Sequence, residues 1–330
     1  MQHGHLFAGA ATRLGMPGRV ARERMAAVVG MLGLVVLAAD IVADRWLDLP
    51  LAAAVGLDKA GEARRATGPV APAGLALGTR ETLAGGYLGL SYTRPSSVTI
   101  KNLGNNLGRT DLTVGGVDWI GMPFKSPIYY GARVTNWPGL ARFGTMLDFT
   151  HAKAIAPFDD DVTLTGTHEG KSLPGQAKVG EMFKHFEFSH GHNMLTVNAL
   201  TRLGFFRVQP YVGAGAGISL PHTEIAFRTE NGRTYEYQYA GLTGQALAGL
   251  EVRLGRASVF LEYKLSYSPY DVPLSGVVNG SWLFLDVWRQ LRAWMTRETP
   301  PGGRLTTPLL THHAIGGTMV RVAGARAVAH

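Results

Sequence analysis

No cysteine occurs in the 330 residues. That excludes a disulfide framework, thiolate zinc sites, thiol nucleophiles and iron–sulfur ligation. Charge is sparse: Asp, Glu, Lys and Arg make up 17% of the chain, against the ~25% usual for soluble domains. Long apolar runs are scarce as well. Only Met25 to Ala39 runs uncharged, preceded by Arg13, Arg19, Arg22 and Arg24 and closed by Asp40. It is shorter than the ~20 residues a spanning helix needs. A basic stretch, a short apolar core and then small residues is the pattern of an export signal. Continued through Ile41, Val42 and Ala43 it becomes an uncleaved anchor. Residues 1–44 are therefore expected to be a signal peptide or an N-terminal membrane anchor, and both readings export the rest. Residues 45–82, rich in Gly, Ala, Pro and Arg, read as a linker.

Catalytic signatures are missing too. There is no P-loop, no Rossmann glycine pattern, no G-x-S-x-G and no His-Glu-x-x-His. The net charge of +8 calls for an anionic partner. No basic–aromatic module for nucleic acid is present, and an exported protein would not meet one. Acidic membrane lipid is the better match.

What the chain has is glycine, 43 residues of it, and from Leu83 onward an apolar period of two. Val259, Leu261, Tyr263, Leu265 and Tyr267 form one stripe, and Ser258, Glu262, Lys264 and Ser266 the other. The pattern predicts strands near 84–100, 127–137, 142–155, 193–203, 208–224, 236–254, 257–270 and 309–321. Connections after the second, fourth and sixth strands are tight, at 138–141, 204–207 and 255–256; the others are long. Short turns alternating with long loops over an even strand count is the pattern of a transmembrane β-barrel. Residues 83–322 are thus expected to be an all-β, eight-stranded antiparallel transmembrane β-barrel, OmpA/OmpX-like, in the outer membrane, with 323–330 as a tail. The apolar stripe faces lipid. The interior then receives Arg133, Thr135, Asp148, Thr150, Asn198, Arg202, Gln245, Glu251, Glu262 and Lys264. Their charges balance, and a barrel this narrow is filled by side chains, so a plug is expected rather than a pore. Gly213, Gly215 and Gly217 are expected to leave room for Arg133 or Lys264. A soluble lipocalin-like barrel would turn the apolar stripe inward instead.

Histidine placement is the unusual feature. His151, His168, His185, His190, His192, His222, His312 and His313 all fall at expected extracellular strand ends or in adjoining loops. Adjacent strands lie ~5 Å apart, so His151, His190, His192 and His222 with Glu224 can converge on one rim. Imidazoles with a carboxylate suit a divalent transition metal; the alternative is a set of scattered surface histidines. Glu262 and Lys264 are a candidate acid/base couple or plain packing. Tyr235 to Tyr239 read as an aromatic girdle or, through Tyr237 and Gln238, as a sugar contact. The long loop 276–305 carries Trp282, Leu285, Trp288, Leu291, Trp294 and Met295 at near-helical spacing, with Arg289, Arg292 and Arg297 among them. That reads as an amphipathic helix on anionic headgroups or one packed against the barrel mouth.

Several stretches resemble the lipid A oxidase family of outer-membrane barrels: Asp148-Phe149-Thr150-His151-Ala152-Lys153, Leu195 to Leu200, Pro210 to His222, Tyr235 to Gln238, Gln245 to Gly249 and Phe260 to Tyr267. The loop 276–305 and the tail after Val322 depart from that pattern. The resemblance implies an enzyme that uses oxygen to convert the proximal glucosamine of lipid A to 2-aminogluconate, releasing hydrogen peroxide. Activating oxygen calls for a metal or organic cofactor. The expectation is a rim metal held among His151, His190, His192, His222 and Glu224, with Asp148, His151, Lys153, Glu262 and Lys264 as candidate catalytic groups. Tyr237, Gln238, Arg289 and Arg292 are the candidate contacts to lipopolysaccharide. The other readings are a non-catalytic adhesin or envelope barrel, and a lipid A deacylase. The last is weakened because no His-x-Ser pair occurs.

Overall fold

The computed structural model describes residues 80–103, 109–138, 142–203, 207–275, 278, 282–298 and 302–324. The expected export segment, 45–79 of the expected linker and 325–330 of the expected tail lie outside them. Glu81 and Thr82, expected as linker, pair with Gly324 and Ala323, expected as tail.

In chain order the elements are β1 (Glu81–Leu103), β2 (Arg109–Trp119), β3 (Tyr130–Trp137), β4 (Phe143–Ile155), β5 (Asp161–His168), β6 (Lys171–Ser172) and β7 (Gln176–Lys178). Then come α1 (Val179–Met182), β8 (Phe183–Arg202), β9 (Val208–Ser219), β10 (His222–Phe227), β11 (Thr234–Tyr237), β12 (Gly241–Leu254), β13 (Ala257–Leu274), α2 (Leu283–Thr296) and β14 (Gly303–Gly324). Among the described residues fourteen strands form where the apolar pattern predicts eight. Strands β1, β3, β4, β8, β9, β12, β13 and β14 pair antiparallel in that order, and β14 returns to β1. The circuit has no open edge. Of the other six, β2, β5, β6 and β7 lie in connections expected to be long loops, and β10 and β11 each overlap the end of an expected strand and the loop between them. The predicted run 208–224 breaks at Leu220-Pro221, where proline brings no N–H to the ladder, and 236–254 breaks just before Gly241.

One strand explains the architecture. Along β13 every even residue from Ser258 to Leu274 is buried. In the lower part those residues are Ser258, Phe260, Glu262, Lys264, Ser266 and Ser268, polar apart from Phe260, and the outward Val259, Leu261, Tyr263 and Tyr267 are exposed. From Tyr270 upward the chemistry reverses: Tyr270, Val272 and Leu274 point in and Asp271 points out. The parity holds while the solvent changes. Val259 to Tyr267 matches the ~9–11 tilted residues with which a strand crosses a bilayer. Leu88, Leu90, Val134, Leu147, Val197, Val212, Leu242 and Leu250 continue the exposed apolar band around the wall. Above it, an ordinary hydrophobic core gathers Val98, Ile100, Leu112, Val114, Phe183, Phe186, Phe188, Ile225, Phe227 and Leu305. Below the reversal the protein is dressed for hydrocarbon; above it, for water.

The lumen of the lower part is closed. Arg133 donates to both carboxylate oxygens of Glu262 (2.9 Å each) and to Asp148 (3.1 Å). Lys264 pairs with Asp148 and donates to Thr150 (2.9 Å), and Tyr211 donates to Glu262 (2.7 Å). Nearer the turns, Glu81 binds Arg202 (2.7 Å), Arg253 and Arg321 (3.1 Å). Buried charges are tolerated only when paired in this way. A void of ≈ 10 Å³ beside Arg133 and Trp137 barely admits one water. Small residues make the fit possible. A Cβ on Gly131 would fall 2.0 Å from the Tyr87 ring, and the space beside Gly213 and Gly215 is taken by Leu200 and Asn198, not by Arg133 or Lys264. Gly255, at φ 71°, turns the tight β12–β13 hairpin.

Candidate metal centre on the outer wall

Above the lipid band, strand alternation sorts one polar group to the outside. In β8, Phe186 and Phe188 point into the upper core, so His185, Glu187 and Ser189 face outward. Glu224 pairs with Glu187, and across β10 Tyr235 pairs with Glu224 and Tyr237 with His222. Residues opposite one another share a face. One outer patch therefore carries His185, Glu187, His222, Glu224, Tyr235 and Tyr237. His190 joins it by an irregularity: between Ala152 and Ala154 of β4 the register shifts, with His192 and Phe188 as their partners. The surplus residues of β8 form a bulge at Gly191, φ 135°. Bulges re-aim side chains, and this one turns His190 toward His222 while His192 stays inside.

The ligand atoms of His190, His222 and Glu224 lie within 4.8 Å of one another, as do those of His185, Glu187 and Glu224. Glu224 belongs to both trios. Its Oε1 meets His185 Nδ1 at 2.8 Å and the Arg233 guanidinium, while Oε2 accepts from Ser189 Oγ at 2.7 Å. The His190 and His222 rings are 4.7 Å apart, and Tyr235 and Tyr237 stand edge-on to His222 at 4.4 and 4.7 Å. His222 and Glu224 are buried; His185, Glu187 and His190 are half-buried. Burial, and then the neighbouring Glu224 charge, push Glu187 above the usual carboxylate range, so it holds a proton more readily than an exposed glutamate does. Donors bound to one ion at ~2.0–2.2 Å sit roughly 3–3.5 Å apart. Two imidazoles and a carboxylate within this reach are a donor set that could hold a transition metal once Glu224 turns from its present partners.

Of the expected ligands, His151 and His192 stand outside both trios. His151 Nδ1 bonds Asn193 Oδ1 (2.7 Å) and its ring stacks on Tyr130 at 4.7 Å. His192 is buried in the interior against the Tyr270 hydroxyl, with Thr311 at 3.5 Å. The expected catalytic Asp148, Glu262 and Lys264 are members of the closed plug. Glu262 and Lys264 do not pair with each other; each is neutralised by another partner, which corrects their reading as an acid/base couple. Lys153 is held by the Lys125 carbonyl (2.5 Å). Gln238 is buried and donates to the Pro273 carbonyl (2.6 Å) and Glu236 (2.9 Å), so it does not face a sugar. Tyr237 walls the metal patch. Arg289 pairs with Asp286, and Arg292 is exposed on α2. His185 and Glu187 were missed as site residues because 183–192 reads as loop if the apolar band alone is followed. The signal was present: His185-Phe186-Glu187-Phe188-Ser189 alternates as cleanly as any strand.

No family model and no curated relative matches the sequence. Solved structures that overlap it include the outer membrane protein OprG of Pseudomonas aeruginosa, at 14% identity over 74% of this chain and 97% of that one, TM-score 0.37; Neisserial surface protein A, at 8%, 72% and 95%, TM-score 0.28; and the outer membrane protease OmpT of Escherichia coli, at 9%, 73% and 96%, TM-score 0.32. Likeness of this size bears on neither activity nor residue roles. The strand circuit, the exposed apolar band and the ionic interior define the class without it: a transmembrane β-barrel of the outer-membrane type.

Proposed function

We propose that this protein is an outer-membrane enzyme acting on lipid A, converting its proximal glucosamine to 2-aminogluconate with oxygen. The observation that carries the reading is the His190, His222 and Glu224 cluster with its neighbours His185 and Glu187, placed on the outer wall just above the lipid band. Lipid headgroups reach such a patch sideways, without entering the plugged lumen. A divalent transition metal held by His190, His222 and Glu224 would supply the redox chemistry that side chains lack. Oxidising the free anomeric carbon to the lactone removes two electrons and two protons, which dioxygen accepts to leave as hydrogen peroxide, and one water then opens the lactone to 2-aminogluconate. Glu187, its proton affinity raised, is positioned to take and release a proton beside the cluster. Tyr235 and Tyr237 screen His222 from water, and Arg233 holds Glu224 in place. A second reading, a non-catalytic envelope barrel or adhesin, is favoured by Arg233 and Ser189, which already satisfy Glu224.

Expression in a host lacking the activity, followed by mass spectrometry of lipid A, separates the two. The expected result is aminogluconate with the wild-type protein and with His151→Ala, and none with His222→Ala or Glu224→Gln. Unmodified lipid A from the wild-type host, with the barrel folded in its outer membrane, sinks the enzymatic reading.

A further inference from the structure

Helix α2 is mounted inside out. A surface helix of a protein in water buries its apolar stripe and exposes its polar one. Here the carboxylate of Asp286 is buried and accepts a hydrogen bond from the Tyr237 N–H at 3.1 Å. One turn later Gln290 accepts from the Tyr239 N–H (2.8 Å) and donates to the Tyr237 carbonyl (2.6 Å). These bonds engage the edge of β11 that β10 does not use. Meanwhile Trp282 is 67% exposed, Phe284 81%, Leu285 54% and Trp294 59%. Arg289, Arg292 and Arg297 are exposed among them. The helix holds the protein with Asp286, Gln290 and, near its end, the buried Met295, and offers its aromatic groups outward.

Its height on the wall says what lies outward. Tyr239, pinned by Gln290, is itself exposed, and so is Leu242 at the upper margin of the apolar band. Between them the Ala240 carbonyl accepts from the Asp271 N–H (3.0 Å). Asp271 follows Tyr270, the residue at which the inward chemistry of β13 changes from hydroxyl to hydrocarbon. The helix is therefore fastened to the barrel, through Asp286 and Gln290, at the boundary between lipid and water. The exposed Tyr92, Tyr130 and Tyr267 lie near the upper end of the same band, as an interfacial aromatic girdle does.

We infer that α2 is a docking surface for the phosphorylated lipid headgroups of the surrounding leaflet, its Trp and Phe rings seated at the acyl boundary and Arg292 and Arg297 on phosphate. Ring-bearing apolar residues interleaved with arginine at this depth match such a surface in both polarity and charge. A second copy of the chain would bring two more such arginines against these two. The inference holds whether or not the nearby cluster is catalytic. It adds a spatial consequence: β11, which α2 grips, is the strand whose Tyr235 and Tyr237 pack on His222, so a headgroup gathered on the helix lies one strand from the cluster.

The test uses the full-length protein reconstituted in phosphatidylcholine vesicles with and without phosphatidylglycerol. The fluorescence difference between wild type and the Trp282→Phe, Trp288→Phe, Trp294→Phe variant isolates the helix. It is expected to be quenched by lipids brominated high on the acyl chain and shielded from aqueous iodide. Quenching by iodide but not by brominated lipid would overturn the inference, as would cross-linking of α2 to a second copy. In native mass spectrometry, Arg292→Ala and Arg297→Ala are expected to lower phosphatidylglycerol retention roughly fivefold per arginine and to leave retention of a phosphate-free diglycosyl diacylglycerol unchanged. Equal loss of both lipids would remove phosphate from the proposal. Gel mobility of the unheated protein confirms that every variant still forms the barrel.

Discussion

Lys264 shows what a single residue must do in this barrel. Its ammonium is fully enclosed, pairs with Asp148 and donates to Thr150 and to the Tyr87 hydroxyl at 3.2 Å. Breaking a buried pair from one side strands the other charge, at a cost of about 3–5 kcal/mol. Lys264→Met is expected to lower the urea midpoint of barrel unfolding by that equivalent, and adding Asp148→Asn to recover part of it. Equal midpoints for wild type and Lys264→Met would show that water reaches the site. At this scale the sequence was legible in part. Glu262 and Lys264 could be assigned inward from parity alone, because period two is a property of the extended chain itself. His222 and Glu224 share a face for the same reason. His190 could not be assigned, because its direction depends on a bulge that only pairing with β4 creates. The partners of Lys264 were equally hidden, since Tyr87, Asp148 and Thr150 come from other strands.

Among the elements, α2 and β11 depend on each other. A short edge strand leaves backbone groups open, and here Asp286 and Gln290, spaced by one helical turn, satisfy two of them and the Tyr239 N–H just beyond. Each such bond contributes on the order of 1 kcal/mol. Asp286→Ala with Gln290→Ala is expected to speed amide exchange at Tyr237 and Tyr239 while leaving exchange in β12 and β13 unchanged. Unaltered protection at both amides would mean that β10 and the barrel wall hold β11 unaided. The near-helical spacing of Trp282, Leu285, Trp288, Leu291, Trp294 and Met295 announced this helix in the sequence. Which side faced the protein was not announced, because an amphipathic pattern is symmetric with respect to whether water or lipid lies beyond it. The extramembrane strands were harder to read. Leu112 and Val114 of β2 alternate with polar neighbours as barrel strands do, but with the opposite chemistry facing in, so a search tuned to the lipid band passes over them.

Taken whole, the molecule is a continuous circuit of strands that stands in two solvents. Its lower lumen is sealed by two ionic clusters, one centred on Asp148 and Glu262, the other on Glu81. Purified protein in a planar bilayer is therefore expected to show no steady ionic conductance; ohmic channels of uniform size would contradict the plug. The alternation of side chains, the tight turns such as Gly255-Arg256 and the balance of inward charge were set by the sequence alone, since each follows from local backbone geometry and the cost of burying a charge. The tertiary structure decided the rest. Which histidines meet, where the lipid band ends on each strand and which way α2 faces all depend on strands distant in the chain being brought side by side in one register, and no local pattern encodes that register.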